Sequence, residues 1–245
     1  MRKVTILPLI LFAVGTLSCG GGTTPDEPEV PAWRPAKSPT VRNIYALWPL
    51  AEDNVWAVGQ GGNVLRFNGD EWQLVITTLT KDLYDIQFVA PGRAWVCGAD
   101  GFAADGDGVA WNEHPQTLSS AVLYGLHALS TNDCWFCGAG GTILHYKAGV
   151  WHDESPSGVS EDLYAIRATG DGGGWCVGGA GRILKRCNNN WVPVTSPANA
   201  DYHCAFFIND NEGWFGGSNG YVIHYKNGGL SKTCLLYTSP SPRDS

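Results

Sequence analysis

The chain has 245 residues, 16% of them charged, and its 16 Lys+Arg stand against 23 Asp+Glu for a net charge of −7. An acidic chain without a basic stripe excludes the electrostatic footprint of a nucleic-acid binder and a direct hold on anionic lipid. With 32 glycines and 11 tryptophans, the composition suits many short strands packed face to face.

At the N-terminus, Arg2 and Lys3 precede an apolar run from Ile6 to Val14 that is too short to cross a bilayer and reads as a secretory signal. Thr16-Leu17-Ser18-Cys19 resembles the bacterial lipobox, with Thr16 where that box usually holds Leu. The resemblance implies that residues 1–19 are a lipoprotein signal peptide with lipidation at Cys19. Gly20 instead of Asp after the cysteine implies the outer membrane of the cell envelope, the membrane being reached only through this N-terminal lipid anchor. Residues 20–31, with Pro25, Pro28 and Pro31 among acids, read as a solvated tether.

From there the chain repeats. Trp56, Trp95, Trp135, Trp175 and Trp214 recur at intervals of 39, 40, 40 and 39 residues, each followed at the third and sixth positions by glycine, as in Gly98/Gly101 and Gly138/Gly141. A fixed period near 40 residues predicts an all-β fold, a β-propeller of four-stranded blades. The propeller is expected over 32–233, with repeats near 43–82, 83–122, 123–162, 163–201 and 202–233. In the fourth unit the predicted strands are Leu163–Ala168, Trp175–Gly178, Arg182–Cys187 and Trp191–Thr195.

Tyr45, Tyr84, Tyr124 and Tyr164 precede Leu47, Ile86, Leu126 and Ile166 by two residues. Period two predicts that both sets share one face, buried between blades. Trp72, Trp111, Trp151 and Trp191 open the fourth strands, with Leu230 as the fifth counterpart. Trp33, 39 residues before Trp72, predicts an N-terminal strand that completes the last blade and closes the ring. The glycines read as scaffold between second and third strands, since no helix follows to make a phosphate cradle.

These motifs resemble bacterial WD40/YVTN-like or BNR-like propeller repeats, including those of photosystem II assembly-factor type. The matching residues are Leu123-Tyr124-Gly125-Leu126, Trp135-Phe136-Cys137-Gly138, Gly141-Thr142-Ile143-Leu144-His145-Tyr146 and Gly149-Val150-Trp151, repeated across 44–229. The likeness implies binding or assembly work on a propeller. Arg66-Phe67-Asn68-Gly69-Asp70-Glu71 before Trp72 lacks the Ser and Asp of the sialidase Asp-box, which speaks against glycosidase activity.

The residue types of catalysis and ligation are present without a pattern. Cys134 and Cys137 lie an odd number of residues apart on a strand, which points them to opposite faces, and no second C-x-x-C completes a zinc site. Equivalent cysteines such as Cys97 and Cys137 sit a sheet spacing apart, beyond disulfide reach; Cys176 and Cys187 flank one hairpin and stay open as a pair. His145 and His224 share a third-strand column with Arg66 and Lys185 and splay outward, so no metal and no cofactor are expected. Binding is instead assigned to varied positions on an unvarying scaffold. The channel strand offers Trp48, Gln87, His127 and Arg167, followed by Phe206. The rim beyond the second loop glycine offers Asn63, Phe102, Arg182 and Tyr221, with Thr142 in the same column. The expected function is a non-catalytic module for an unknown protein or glycan. The alternative, a glycan-active hydrolase or lyase, needs paired carboxylates, and Asp85 is the one such group on a first strand.

At the C-terminus, residues 234–245 are similar to the conceptual translation of a transposase sequencing adapter. They are expected to be read-through, with a larger native ring continuing beyond Thr233. Leaving out Arg2, Lys3, Arg243 and Asp244 with the two ends takes the net charge from −7 to −9.

Overall fold

A computed structural model describes residues 35–169 and 172–234. Cys19, the tether, Trp33 and residues 235–245 lie outside the described residues, as do the roles expected of them. Everything described belongs to the second of two units, Ala36–Ser245, apart from Pro35.

Among the described residues the strands form five four-stranded antiparallel sheets, each a simple meander. Blade 3 is representative, with strands Leu123–Ser130, Asp133–Gly138, Ile143–Lys147 and Val150–Asp153. The inner strands of the other blades are Ile44–Ala51, Leu83–Ala90, Leu163–Ala168 and Tyr202–Asn209. Each inner strand lies against the next, from blade 1 through blade 5. The predicted boundaries in the fourth unit shift by one or two residues, to Gly174–Gly178, Ile183–Cys187 and Asn190–Pro193.

The glycine columns have two different causes. Gly98 is extended, and a Cβ there would sit 2.0 Å from the carbonyl oxygen of Asp82. Gly141 lies at φ +78 and a Cβ would sit 2.4 Å from the Val159 carbonyl oxygen, so both conformation and space exclude a side chain. Between them each turn has a middle residue that is also left-handed but points into open space at Gly140. Asp100, Ala180 and Asn219 occupy that position in other blades, which is why it is not a glycine column.

Blades are glued by tryptophan. Trp56, Trp95, Trp135 and Trp175 are buried at 5%, 0%, 3% and 4% exposure, each in the apolar cluster against the following blade. Burial of such rings dominates interface energetics. Among the described residues the ring is open between blades 5 and 1. Leu47 on blade 1 is 59% exposed where Ile86, Leu126 and Ile166 are at 0–1%, and Phe206 on blade 5 is 58% exposed. Trp214, with no following blade against it among the described residues, is only half-buried and stacks on His224 of its own sheet.

The tyrosine column departs from expectation. In every blade the register between first and second strands slips at this residue, as between Leu83 and Asp85, so Tyr84 is an extra residue in the ladder. Such a bulge breaks period two. Leu83 and Ile86 both point into the blade interface, and the tyrosine between them is turned out to the channel.

Candidate functional site

The bulges bring together what the sequence spaces 39 or 40 residues apart. Tyr45, Tyr84, Tyr124, Tyr164 and His203 form a staircase, with ring centroids 5.0, 5.6, 5.5 and 5.3 Å apart in succession. The rings line a cleft of about 380 Å³ to which all five inner strands contribute. Tyr45 is exposed, and Tyr84, Tyr124 and Tyr164 are half-buried. Ring spacings near 5 Å are favourable for aromatic pairs, so the staircase is held by its own members and still presents ring surface to solvent.

Carboxylates surround this mouth. The Asp82 Oδ1 accepts from the backbone N–H of Gly61 at 2.7 Å, Asp162 from Gly140 at 2.9 Å and Asp201 from Ala180 at 2.8 Å. Each clamps the turn of one blade from the entry to the next inner strand. Partial burial, and then these charges, raise the Tyr84, Tyr124 and Tyr164 hydroxyls above their ordinary range: Asp82 acts on Tyr84, Asp162 on Tyr124, and Asp162 with Asp201 on Tyr164.

Deeper in the cleft, Asp85 and Arg167 face one another electrostatically. Burial pushes Asp85 up to about 6, moderated by hydrogen bonds from the N–H of Leu126 and by Arg167. Its Oδ2 accepts from Leu126 at 2.9 Å and its Oδ1 from Ile86 at 2.8 Å. His127 is pushed down to about 4 by burial and then by Arg167; its Nδ1 accepts the Ala168 N–H at 3.1 Å. Gln87 makes the same stitch twice, accepting from Ala128 N–H at 2.9 Å and donating to its carbonyl at 3.0 Å. Asp85, Gln87 and His127 therefore join successive inner strands 41 residues apart.

The expected channel residues thus divide. Gln87 and His127 are committed to the scaffold, Trp48 packs on the core between blades 1 and 2, and Arg167 lines the cleft while donating to the Ile166 carbonyl at 2.7 Å. The expected rim residues are also engaged. Asn63 donates to Thr40 Oγ1 at 2.9 Å, Phe102 packs on the core between blades 1 and 2, and Thr142 is buried. Arg182 is held in an ion pair with Glu161, whose carboxyl that partner draws down to about 2. Lys232 stands 4.9 Å over the Tyr221 ring.

Cys97, Cys134, Cys137 and Cys176 are buried thiols, and Cys134 and Cys137 do fall in different blade interfaces. Cys176 and Cys187 do not pair: the first is a buried free thiol hydrogen-bonded to that of Cys137, the second is an exposed free thiol. His145 stacks 3.7 Å from Trp135 and meets Asp133 at 2.8 Å, while His224 meets Glu212 at 2.9 Å. These are braces within a blade. No group of three or more metal-ligating side chains converges among the described residues.

The staircase itself was not among the expected site residues. Its signal is the spacing of its neighbours: Leu83 and Ile86, like Leu123 and Leu126, are apolar residues three apart, and cannot share one face of a regular strand.

The family model described as "Photosynthesis system II assembly factor YCF48" matches residues 18–147, more than half of the chain. No curated protein matches significantly. Among solved structures, virginiamycin B lyase from Staphylococcus aureus is 13% identical, at a TM-score of 0.70 over 82% of this chain and 72% of that one. The WD40 propeller domain of Doa1 is 10% identical, at 0.65 over 78% and 68%. YCF48 from Cyanidioschyzon merolae is 15% identical, at 0.58 over 75% and 70%. Identities this low show the shared propeller fold alone.

Proposed function

The chain belongs to the photosystem II assembly factor YCF48 family, and from that premise we propose that it is a non-catalytic propeller that docks a protein partner at its tyrosine-lined mouth. The observation that supports this reading is the half-exposed staircase Tyr45–Tyr84–Tyr124–Tyr164–His203 over a cleft shared by five blades. Tyrosine supplies rigid, amphipathic contact surface at low entropic cost, which suits recognition. A hydrolase or lyase reading has less to stand on, because Asp85 uses both oxygens on backbone N–H groups and the carboxylates around the mouth, Asp82, Asp162 and Asp201, each hold the turn of a neighbouring blade.

The reading extends to location. The basic start, the apolar run Ile6–Val14 and the lipobox-like Thr16–Cys19 support an exported lipoprotein that presents the propeller on a tether from the envelope. Palmitate labelling that survives in Cys19→Ala would remove the anchor from this account.

The docking test compares two double variants as baits in cross-linked envelope extracts. Tyr84→Leu with Tyr124→Leu should lose a partner that Arg182→Ala with Tyr221→Ala retains, both baits melting like the parent. The reverse pattern would move the site to the rim. Recovery of a glycan ligand on an array, with no protein partner, would replace the partner class.

A further inference from the structure

We propose that the segment received by the tyrosine-lined mouth is cationic, a stretch of a partner protein rich in Lys or Arg. The inference rests on the docking reading above and adds the chemistry of what docks. Three observations lead to it. Tyrosine rings present negative π faces, and the staircase offers four of them around one cleft, an arrangement that favours ammonium and guanidinium groups. Asp82, Asp162 and Asp201 stand at that same mouth, each with only its Oδ1 used by a turn N–H; their charges reach the tyrosine hydroxyls.

Two of the cations nearby are held in ion pairs, Lys81 with Asp100 and Arg182 with Glu161. Arg42 and Arg167 donate to the carbonyls of Gly61 and Ile166, and they stand against four carboxylates, Asp82, Asp85, Asp162 and Asp201. The balance at the mouth is therefore negative, on a chain whose net charge is −7. An anionic segment would meet like charge and the unfavourable side of the ring quadrupole.

The test is a fluorescence-anisotropy titration of the chain with labelled hexa-arginine, hexa-glutamate and hexa-serine peptides. Hexa-arginine should bind in preference to the other two. Because any polycation is drawn to an acidic protein, the deciding comparison holds net charge fixed: Tyr84→Leu/Tyr124→Leu should weaken hexa-arginine binding roughly tenfold. Tyr84→Phe/Tyr124→Phe, which keeps the π faces, should bind like the parent. Thermal melts of both variants establish that each is folded. Tyrosine-dependent binding of hexa-glutamate or hexa-serine in place of hexa-arginine overturns the cationic assignment and leaves the mouth as the docking site. Undiminished hexa-arginine binding by the Leu variant, or an absence of hexa-arginine binding by the parent, overturns the cationic assignment, while the docking reading stands or falls on the bait comparison above.

Discussion

Two aromatic columns run through the same blades with the same period, and they end in opposite environments. Trp56, Trp95, Trp135 and Trp175 are at most 5% exposed, sealed between blades. The tyrosines at the head of the inner strands are turned out to the channel mouth. Periodicity reports that a residue does the same thing in each blade, and says nothing about whether that thing is packing or presentation. Local backbone decides it: a one-residue bulge turns the tyrosine away from the face its spacing would give it.

The sharpest way to break this comparison is to truncate the sealed column. Trp135→Ala should cost about 3–5 kcal/mol, since it removes a ring that packs on Trp191 and His145. Trp214→Ala, half-buried and stacked only within its own blade, should cost less than half as much. Urea melts of both report it; equal losses would mean that the blade interface does not govern stability.

Next in size are the turn glycines. Gly141→Ala drives a Cβ toward the Val159 carbonyl at a left-handed position, whereas Gly140→Ala meets nothing within 4 Å. The first should cost about 2 kcal/mol or more, the second about 1 kcal/mol from conformation alone. Melts that order them the other way would put the constraint elsewhere in the turn.

The stitching residues give a pH test. His127 has its folded pKa lowered to about 4, below the unfolded value near 6.5, so the unfolded chain binds more protons between those values. Its contribution is present above pH 6.5 and is lost as pH falls toward 4. Asp85, raised to about 6, acts oppositely, and its deprotonation costs stability as pH rises from about 4 to 6. His145 is also lowered by burial and acts in the same direction as His127, so the effect of His127 is read as a difference from the parent. His127→Gln, the substitution that blade 2 already carries as Gln87, should gain stability relative to the parent as pH falls from 6.5 to 4. A difference that stays constant over that range would contradict the assignment.

The smallest stability effect belongs to the other column. Tyr84→Leu and Tyr124→Leu should each change folding stability by less than about 1 kcal/mol, because the ring faces they remove look into the cleft. A loss near that of Trp135→Ala would return these tyrosines to the core.

The blade repeat was legible from Trp and Gly spacing alone, since a buried ring and a turn that admits no Cβ leave no freedom to drift. The mouth was not. Gln87, His127 and Arg167 look like a varied recognition surface in sequence, yet two of them replace backbone pairing between inner strands, and only three-dimensional contact across 41 residues reveals it. Arg182 and Tyr221 likewise follow the turn glycines as free rim positions, until Glu161 and Lys232 are found against them. The tyrosines do not follow a uniform strand period, because the chain slips by one residue between Leu83 and Ile86, apolar residues three apart that both face the core.

Protection from nitration tests the central claim most directly. The parent chain, alone and cross-linked to the protein it recovers from extracts, is treated with tetranitromethane, and modified peptides are read by mass spectrometry. The account predicts that Tyr84, Tyr124 and Tyr164 react in the free chain and are shielded in the complex, while buried Tyr202 and Tyr225 stay unreactive in both. Shielding of Tyr221 with the staircase still reactive would contradict it.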